Sequence, residues 1–134
     1  MESLFLDGNR TYPTVVFDSE AGYFEISGKS VMDESELFFR PVLSWLDEYA
    51  ENPNAITNFI FKLDYFNIAS SKRLLFILYK LFEMQHKGYS VRVSWYYEEY
   101  DDDMLEAGQD FGFMVAVPFD FVPYRKPLEA RLAV

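Results

Sequence analysis

The residues best suited to chemistry in this 134-residue chain are gathered in Asn67-Ile68-Ala69-Ser70-Ser71-Lys72-Arg73. Ser70 and Ser71 carry hydroxyls that can accept a phosphoryl group, with Lys72 and Arg73 next to them to face the added charge. Asn67, Ser70 and Ser71 also suit a turn and a helix N-cap, because their side-chain oxygens satisfy the first unpaired backbone N–H groups. Those N–H groups and the positive end of the helix dipole favour an anion such as phosphate. A strand that delivers hydroxyl residues to a helix start is the construction of a phospho-switch. It is equally the construction of an ordinary strand-to-helix connection, and both readings stand at this point.

A second set of reactive groups lies in Glu98-Glu99-Tyr100-Asp101-Asp102-Asp103, continuing to Glu106. Three consecutive acids on a helix point in different directions, and the alternating acid spacing of a calcium loop is missing, so no metal ligands are assigned. Lone His86 falls near a helix C-terminus, where a positive side chain is favoured for structural reasons. No nucleophile elbow, phosphate-binding loop, dinucleotide fingerprint or zinc-binding H-E-x-x-H is present. No catalytic residue and no cofactor are assigned. The alternatives are a small acidic metal-dependent enzyme or binder centred on Glu98–Glu106, or a structural subunit that does not switch.

The elements that must position these residues follow from periodicity. Ile56 to Tyr65 is dense in β-branched and aromatic residues and reads as a buried strand. Lys72 to Lys87 places Leu74, Leu75, Leu78, Leu81 and Phe82 at helical spacing, and Gly88 ends that helix. Tyr89 to Trp95 is a second strand, so the three elements form a βαβ unit with parallel strands. Upstream, Leu4–Leu6 reads as a short edge strand, and Thr14–Asp18 and Tyr23–Ser27 as a hairpin closed by Gly28. Asp33 with Glu36 approximates a capping box for a helix whose apolar face is Leu37, Phe38, Val42, Trp45, Leu46 and Tyr49. Pro41 is expected to kink or restart it. Downstream, the spacing predicts a short helix before Phe111, a last strand over Phe113–Val117, and a loosely docked tail over 123–134.

The bulk properties bound the reading. Half the residues are hydrophobic and 19% are aromatic, including 14 Phe and 10 Tyr, which is ample material for one core. The absence of cysteine excludes disulfides and thiolate chemistry. A formal net charge of −10 argues against nucleic acid. No apolar run resembles a signal peptide or a membrane span, which makes a cytoplasmic protein the expectation. Between Val93 and Tyr124 there are eight acidic residues and no Lys or Arg, whereas Asn67–Tyr89 holds Lys72, Arg73, Lys80 and Lys87 against Glu83 alone. A partner protein can be steered by such an asymmetry, although a charge run is also simply a solvated face.

Three stretches together resemble a known family. They are Tyr65-Phe66-Asn67-x-x-Ser70-x-Lys72, Trp95-Tyr96-Tyr97-Glu98 with its acid run, and Phe38-Phe39-x-Pro41-Val42-x-x-Trp45-Leu46. Together with Thr14 to Gly28 and its continuation to Ser30, they are similar to the SiaC family of bacterial regulatory phosphoproteins, from about Leu4 to Pro118. The resemblance implies an α/β fold related to the STAS domains of anti-sigma factor antagonists. It implies a protein that binds and activates a diguanylate cyclase when unphosphorylated, under the control of a kinase and a phosphatase. The family pattern places its phospho-acceptor Thr directly after the Asn, where this chain has Ile68, and its next Ser where this chain has Ala69. Ser70 matches the remaining hydroxyl and Ser71 is additional. Three readings remain: an acceptor shifted to Ser70 or Ser71, a chain held in the unmodified binding state, or a relative that has lost its switch.

The expectation is a single α/β domain over 1–122 with a tail over 123–134, a mixed β-sheet with two long helices packed against it, and a STAS-like βαβ core. Its expected role is a non-catalytic, partner-switching interaction protein in cyclic-di-GMP signalling. Asn67, Ile68, Ala69, Ser70, Lys72 and Arg73 are its expected partner interface, with no nucleic-acid or membrane partner.

Overall fold

A computed structural model of the chain describes residues 1–127. Six strands form one sheet in chain order: β1 (Leu4–Leu6), β2 (Thr14–Asp18), β3 (Tyr23–Ser30), β4 (Ile56–Phe66), β5 (Ser90–Glu98) and β6 (Phe119–Tyr124). β1, β2 and β3 are antiparallel neighbours, whereas β3–β4, β4–β5 and β5–β6 are parallel. Each parallel pair is joined through a helix: α1 (Ser35–Glu51), α2 (Ile68–His86) and α3 (Asp102–Met114). The expected mixed sheet and the expected parallel β4–α2–β5 unit are both present, with Phe59 opposite Val93 and Phe61 opposite Trp95.

Alternation along the strands decides which face is covered. Val15 and Phe17, Phe24 and Ile26, Phe59, Phe61 and Leu63, and Val91, Val93 and Trp95 are all buried on one side. The helices lie on that side. Trp45 and Tyr49 of α1 meet Phe17 and Phe24, with ring centroids 5.1 and 5.0 Å apart. Leu74, Ile77, Leu78, Leu81 and Met84 of α2 join the same core. Phe111 of α3 packs 5.7 Å from Trp95. The opposite face carries Glu25, Asn58, Lys62, Arg92 and Asp120, none of them buried.

Local differences from the sequence reading have specific causes. Gly28 does not close β3. Its φ of 92° and the register shift that follows form a bulge, and the strand runs on to Ser30. In α1 Val42, Trp45, Leu46 and Tyr49 are buried as expected, but in the first turn Phe39 is buried while Leu37 is exposed and Phe38 half-buried. The residue before that helix is Glu34, without a side-chain cap, so the Asp33 capping box is not formed. Pro41 lies within one continuous helix rather than at a restart. α2 begins four residues earlier than Lys72, at Ile68, because Asn67 caps it. The largest correction is at the C-terminal end. Phe113 and Met114 complete α3, and the last strand is Phe119–Tyr124, after Pro118. That strand reaches two residues into the segment read as a tail, and 128–134 lie outside the described residues.

Candidate functional site at the turn between β4 and α2

β4 is one of the two inner strands of the parallel region, and its C-terminal end delivers Asn67 to the start of α2. Asn67 is extended (φ −88°, ψ 176°), and its side-chain oxygen accepts from Ser70 N at 2.9 Å, as an N-cap requires. Its side-chain nitrogen donates to Met32 O at 3.0 Å and its backbone N–H to Ser30 O at 3.0 Å. The cap therefore also joins α2 to the end of β3 and the connection into α1.

Ser70 is fully buried at this junction. Its hydroxyl donates to Ser30 O at 2.9 Å and accepts from the Ser30 hydroxyl at 2.7 Å, with the Met32 sulfur 3.3 Å away. Ser70, expected to be a phospho-acceptor and part of a partner interface, therefore has no exposed surface in this structure. Ser71 is half-buried, and its hydroxyl donates back to Ile68 O at 2.7 Å. A fourth serine completes the junction: Ser35, at the start of α1, donates to Ala69 O at 2.8 Å and accepts from Arg73 Nε at 3.3 Å.

Ile68 is held outward by this network, with 90% of its surface exposed. Single exposed apolar side chains are ordinary on a protein surface; what sets Ile68 apart is that the backbone on either side of it is fixed, by the Asn67 cap and by Ser35 donating to Ala69 O. Lys72 is exposed and Arg73 half-buried, and both cations approach the Phe76 ring, at 5.8 and 5.5 Å from its centroid. Beside them, a groove of about 500 Å³ runs between the starts of α1 and α2, with Glu34, Glu36 and Leu37 on one wall and Ala69, Lys72 and Arg73 on the other. The surface offered here consists of Asn67, Ile68, Ala69, Ser71, Lys72 and Arg73. Sequence reasoning missed Ser30, Met32 and Ser35. Ser30 belongs to the Ser27-Gly28-x-Ser30 run of the resemblance, but only the bulge and the parallel pairing bring it under α2.

The acids of Glu98–Glu106 do not converge. Glu98 accepts from Tyr100 N, Glu99 pairs with Arg125 at 2.6 Å, and Asp101 caps α3 by accepting from Met104 N at 3.0 Å. Asp102 and Asp103 are exposed in the first turn of that helix, where its dipole favours them. Among the described residues, no group of three His, Asp or Glu side chains is placed to hold a metal ion, and no helix is long and apolar enough to cross a membrane. Tyr124, half-buried against Asp64, has its phenol pushed up to about 12 by burial and by the charges of Asp64, Glu98 and Asp101.

Comparisons with known proteins agree with the architecture. An uncharacterized protein of Pseudomonas aeruginosa (strain UCBPP-PA14) is 25% identical over 119 residues, covering 89% of this chain and 94% of that protein. SiaC of P. aeruginosa superposes with a TM-score of 0.85 at 24% identity, covering 92% of this chain and all of that one. A similar match, with a TM-score of 0.84 at 24% identity, covers 90% of this chain and 99% of the matched chain in the crystal structure of diguanylate cyclase SiaD in complex with its activator SiaC from P. aeruginosa. The model of the SiaC family regulatory phosphoproteins matches residues 6–124, nearly the whole chain, and this protein belongs to that family.

Proposed function

We propose that this chain is a non-catalytic activator that binds a diguanylate cyclase through the Asn67–Arg73 turn and the groove beside it, and that its turn is held in the binding form. The observation that carries this reading is Ile68, an apolar side chain 90% exposed on a turn fixed by hydrogen bonds to β3 and α1. An exposed isoleucine on a pre-ordered backbone loses little entropy on docking and gains from burial, which is how a small contact surface becomes a useful anchor. The SiaC relative, solved in complex with the cyclase that it activates, supports a cyclase as the class of partner.

The turn cannot be modified at position 68, since isoleucine has no hydroxyl, and Ser70 is enclosed. Ser71 is the hydroxyl through which a kinase and a phosphatase could still act. A phosphate there would add about −1.5 to −2 charges to a surface that must be desolvated on docking. The Ile68 turn without modification at Ser71 gives constitutive activation, which makes the held binding form the preferred reading over a shifted acceptor.

The test is titration of the purified chain into each diguanylate cyclase of its native host, reading binding heat and cyclic-di-GMP synthesis. Binding and activation that disappear in Ile68→Asp support the reading. A chain that binds a cyclase equally well with Ile68→Asp, or binds none, overturns it. Mass spectrometry of chain purified from the host reads the state of Ser71 directly.

A further inference from the structure

The acidic segment and the last turn of α3 are not used by the Asn67 turn, and they form a surface of their own. Phe113 is 94% exposed and Met114 56% exposed, the former being the most exposed of the large hydrophobic side chains among the described residues. Phe113 borders a groove of about 280 Å³ between α3 and β6, floored by Val117, Phe119 and Phe121. Gly112 faces this floor, where a Cβ would lie 3.4 Å from the Phe119 ring, an ordinary van der Waals contact. On the outer side of α3, Asp103, Glu106 and Asp110 are exposed at spacings of three and four, so they line up along the helix above Phe113.

From the apolar groove and this acidic stripe we infer a second docking surface, fitted to a partner helix that carries one apolar stripe flanked by Lys and Arg. The apolar anchors of such a helix would cover Phe113, Met114 and the groove floor, and its cations would face Glu106 and Asp110. The charge distribution selects this occupant over a second copy of the chain. With a net charge of −10 and no Lys or Arg between Val93 and Tyr124, two copies meeting through this edge would bring their acid runs together. The place of the surface adds a consequence. α3 starts beyond the C-terminal end of β5 and returns before the start of β6, so Phe113 lies at the opposite end of the sheet from Ile68. The 13 residues of α3 span about 20 Å, enough for both surfaces to be occupied together.

A fluorescein-labelled leucine–lysine peptide of about 18 residues, patterned as one apolar helical stripe, serves as the probe, with its leucine–glutamate counterpart as control. Anisotropy titrations are expected to show binding of the leucine–lysine peptide alone, weakened by added salt. The affinity is expected to fall about tenfold or more in Phe113→Ser and in the Glu106→Lys/Asp110→Lys double variant, and to be retained in Ile68→Asp. These positions are exposed, and circular dichroism of each variant confirms that its fold is kept. Equal binding of the leucine–glutamate peptide overturns the inference, as does unchanged affinity in both α3 variants. So does a dimer of the unliganded chain, in sedimentation velocity, that Phe113→Ser dissolves, since the occupant would then be a second copy.

Discussion

The hydroxyl oxygens of Ser30 and Ser70, 40 positions apart in the chain, lie 2.7 Å from each other beneath the start of α2, with no exposed surface on either residue. Ser30 ends the bulged strand β3, and Ser70 is three residues past the cap of α2. Their contact ties the end of β3 to the start of α2, the helix that joins the next two strands, β4 and β5. It also fixes where Ile68 points, because Asn67, Ser70 and Ala69 are each held from outside their own helix. The rigid part of this site is therefore below the surface, and Ile68 is the apolar side chain it leaves exposed.

Ser70 is thus expected to behave as a structural residue. Ser70→Ala removes two buried hydrogen bonds and is expected to lower the unfolding free energy by about 1–2 kcal/mol, read as a lower midpoint in urea. Ser70→Asp places a carboxylate in the same enclosed space, where an unpaired charge costs several kcal/mol, and is expected to lose the native fold near room temperature. The effect of that substitution on partner binding would then follow from unfolding rather than from charge at an interface. A Ser70→Asp protein as stable as the parent would show that this junction opens readily.

The parts of this arrangement that were legible in the sequence are those set by neighbours in the chain. The parallel β4–α2–β5 unit follows from apolar periods of two and of three to four on either side of Asn67. The Asn67 cap follows from residue type. The burial of Ser70 does not, because it depends on Ser30, which arrives through the bulge at Gly28 and a parallel pairing. In α1, a stripe through Phe38 and one through Phe39 fit the helical period equally well, and the position of the sheet decides between them. The run Phe113–Val117 fails for a related reason. Five apolar residues suit a strand or the end of a helix, and here the helix capped by Asp101 continues through Met114.

Gly108 tests the packing of α3 on the sheet. A Cβ at this position would lie 2.4 Å from Cδ1 and Nε1 of the Trp95 indole. That ring is buried, and its N–H donates to Met104 O at 2.9 Å, so it has little room to yield. Gly108→Ala is expected to destabilise the domain by about 1–3 kcal/mol through overpacking, despite the better helix propensity of alanine. Urea unfolding measures the loss, and a shifted tryptophan emission would report the displaced ring.

Tyr124 supplies a pH dependence. Its phenol is pushed up to about 12 from an ordinary 10.0, chiefly by burial and then by the Asp64 charge. Between those values the folded chain keeps a proton that the unfolded chain has released, so stability is fully present below about pH 10 and falls as pH rises towards 12. Tyr124→Phe lacks this group, and the stability difference between the two proteins is expected to shrink over that interval, with the common titration of lysines cancelling. Urea midpoints at successive alkaline pH values decide it. A difference that stays constant with pH would mean that Tyr124 titrates alike in both states.

Ile68 separates stability from recognition. With nine-tenths of its surface open, Ile68→Thr and Ile68→Asp are each expected to change the unfolding free energy by no more than about 0.5 kcal/mol. If the side chain is a docking anchor, Ile68→Asp is expected to weaken binding to the cyclase by tenfold or more, equivalent to at least about 1.4 kcal/mol. Ile68→Thr keeps a β-branched side chain and adds a hydroxyl at the first position of α2, next to Lys72, where a phosphate is electrostatically favoured and need not unfold the turn. This variant is expected to bind until it is phosphorylated by a kinase that acts on the family, and then to release its partner. Calorimetry before and after phosphorylation, with mass spectrometry to locate the phosphate, reads each step. Parent-like binding by phosphorylated Ile68→Thr would show that charge at this turn is irrelevant to recognition, and the interface would have to lie elsewhere on the domain.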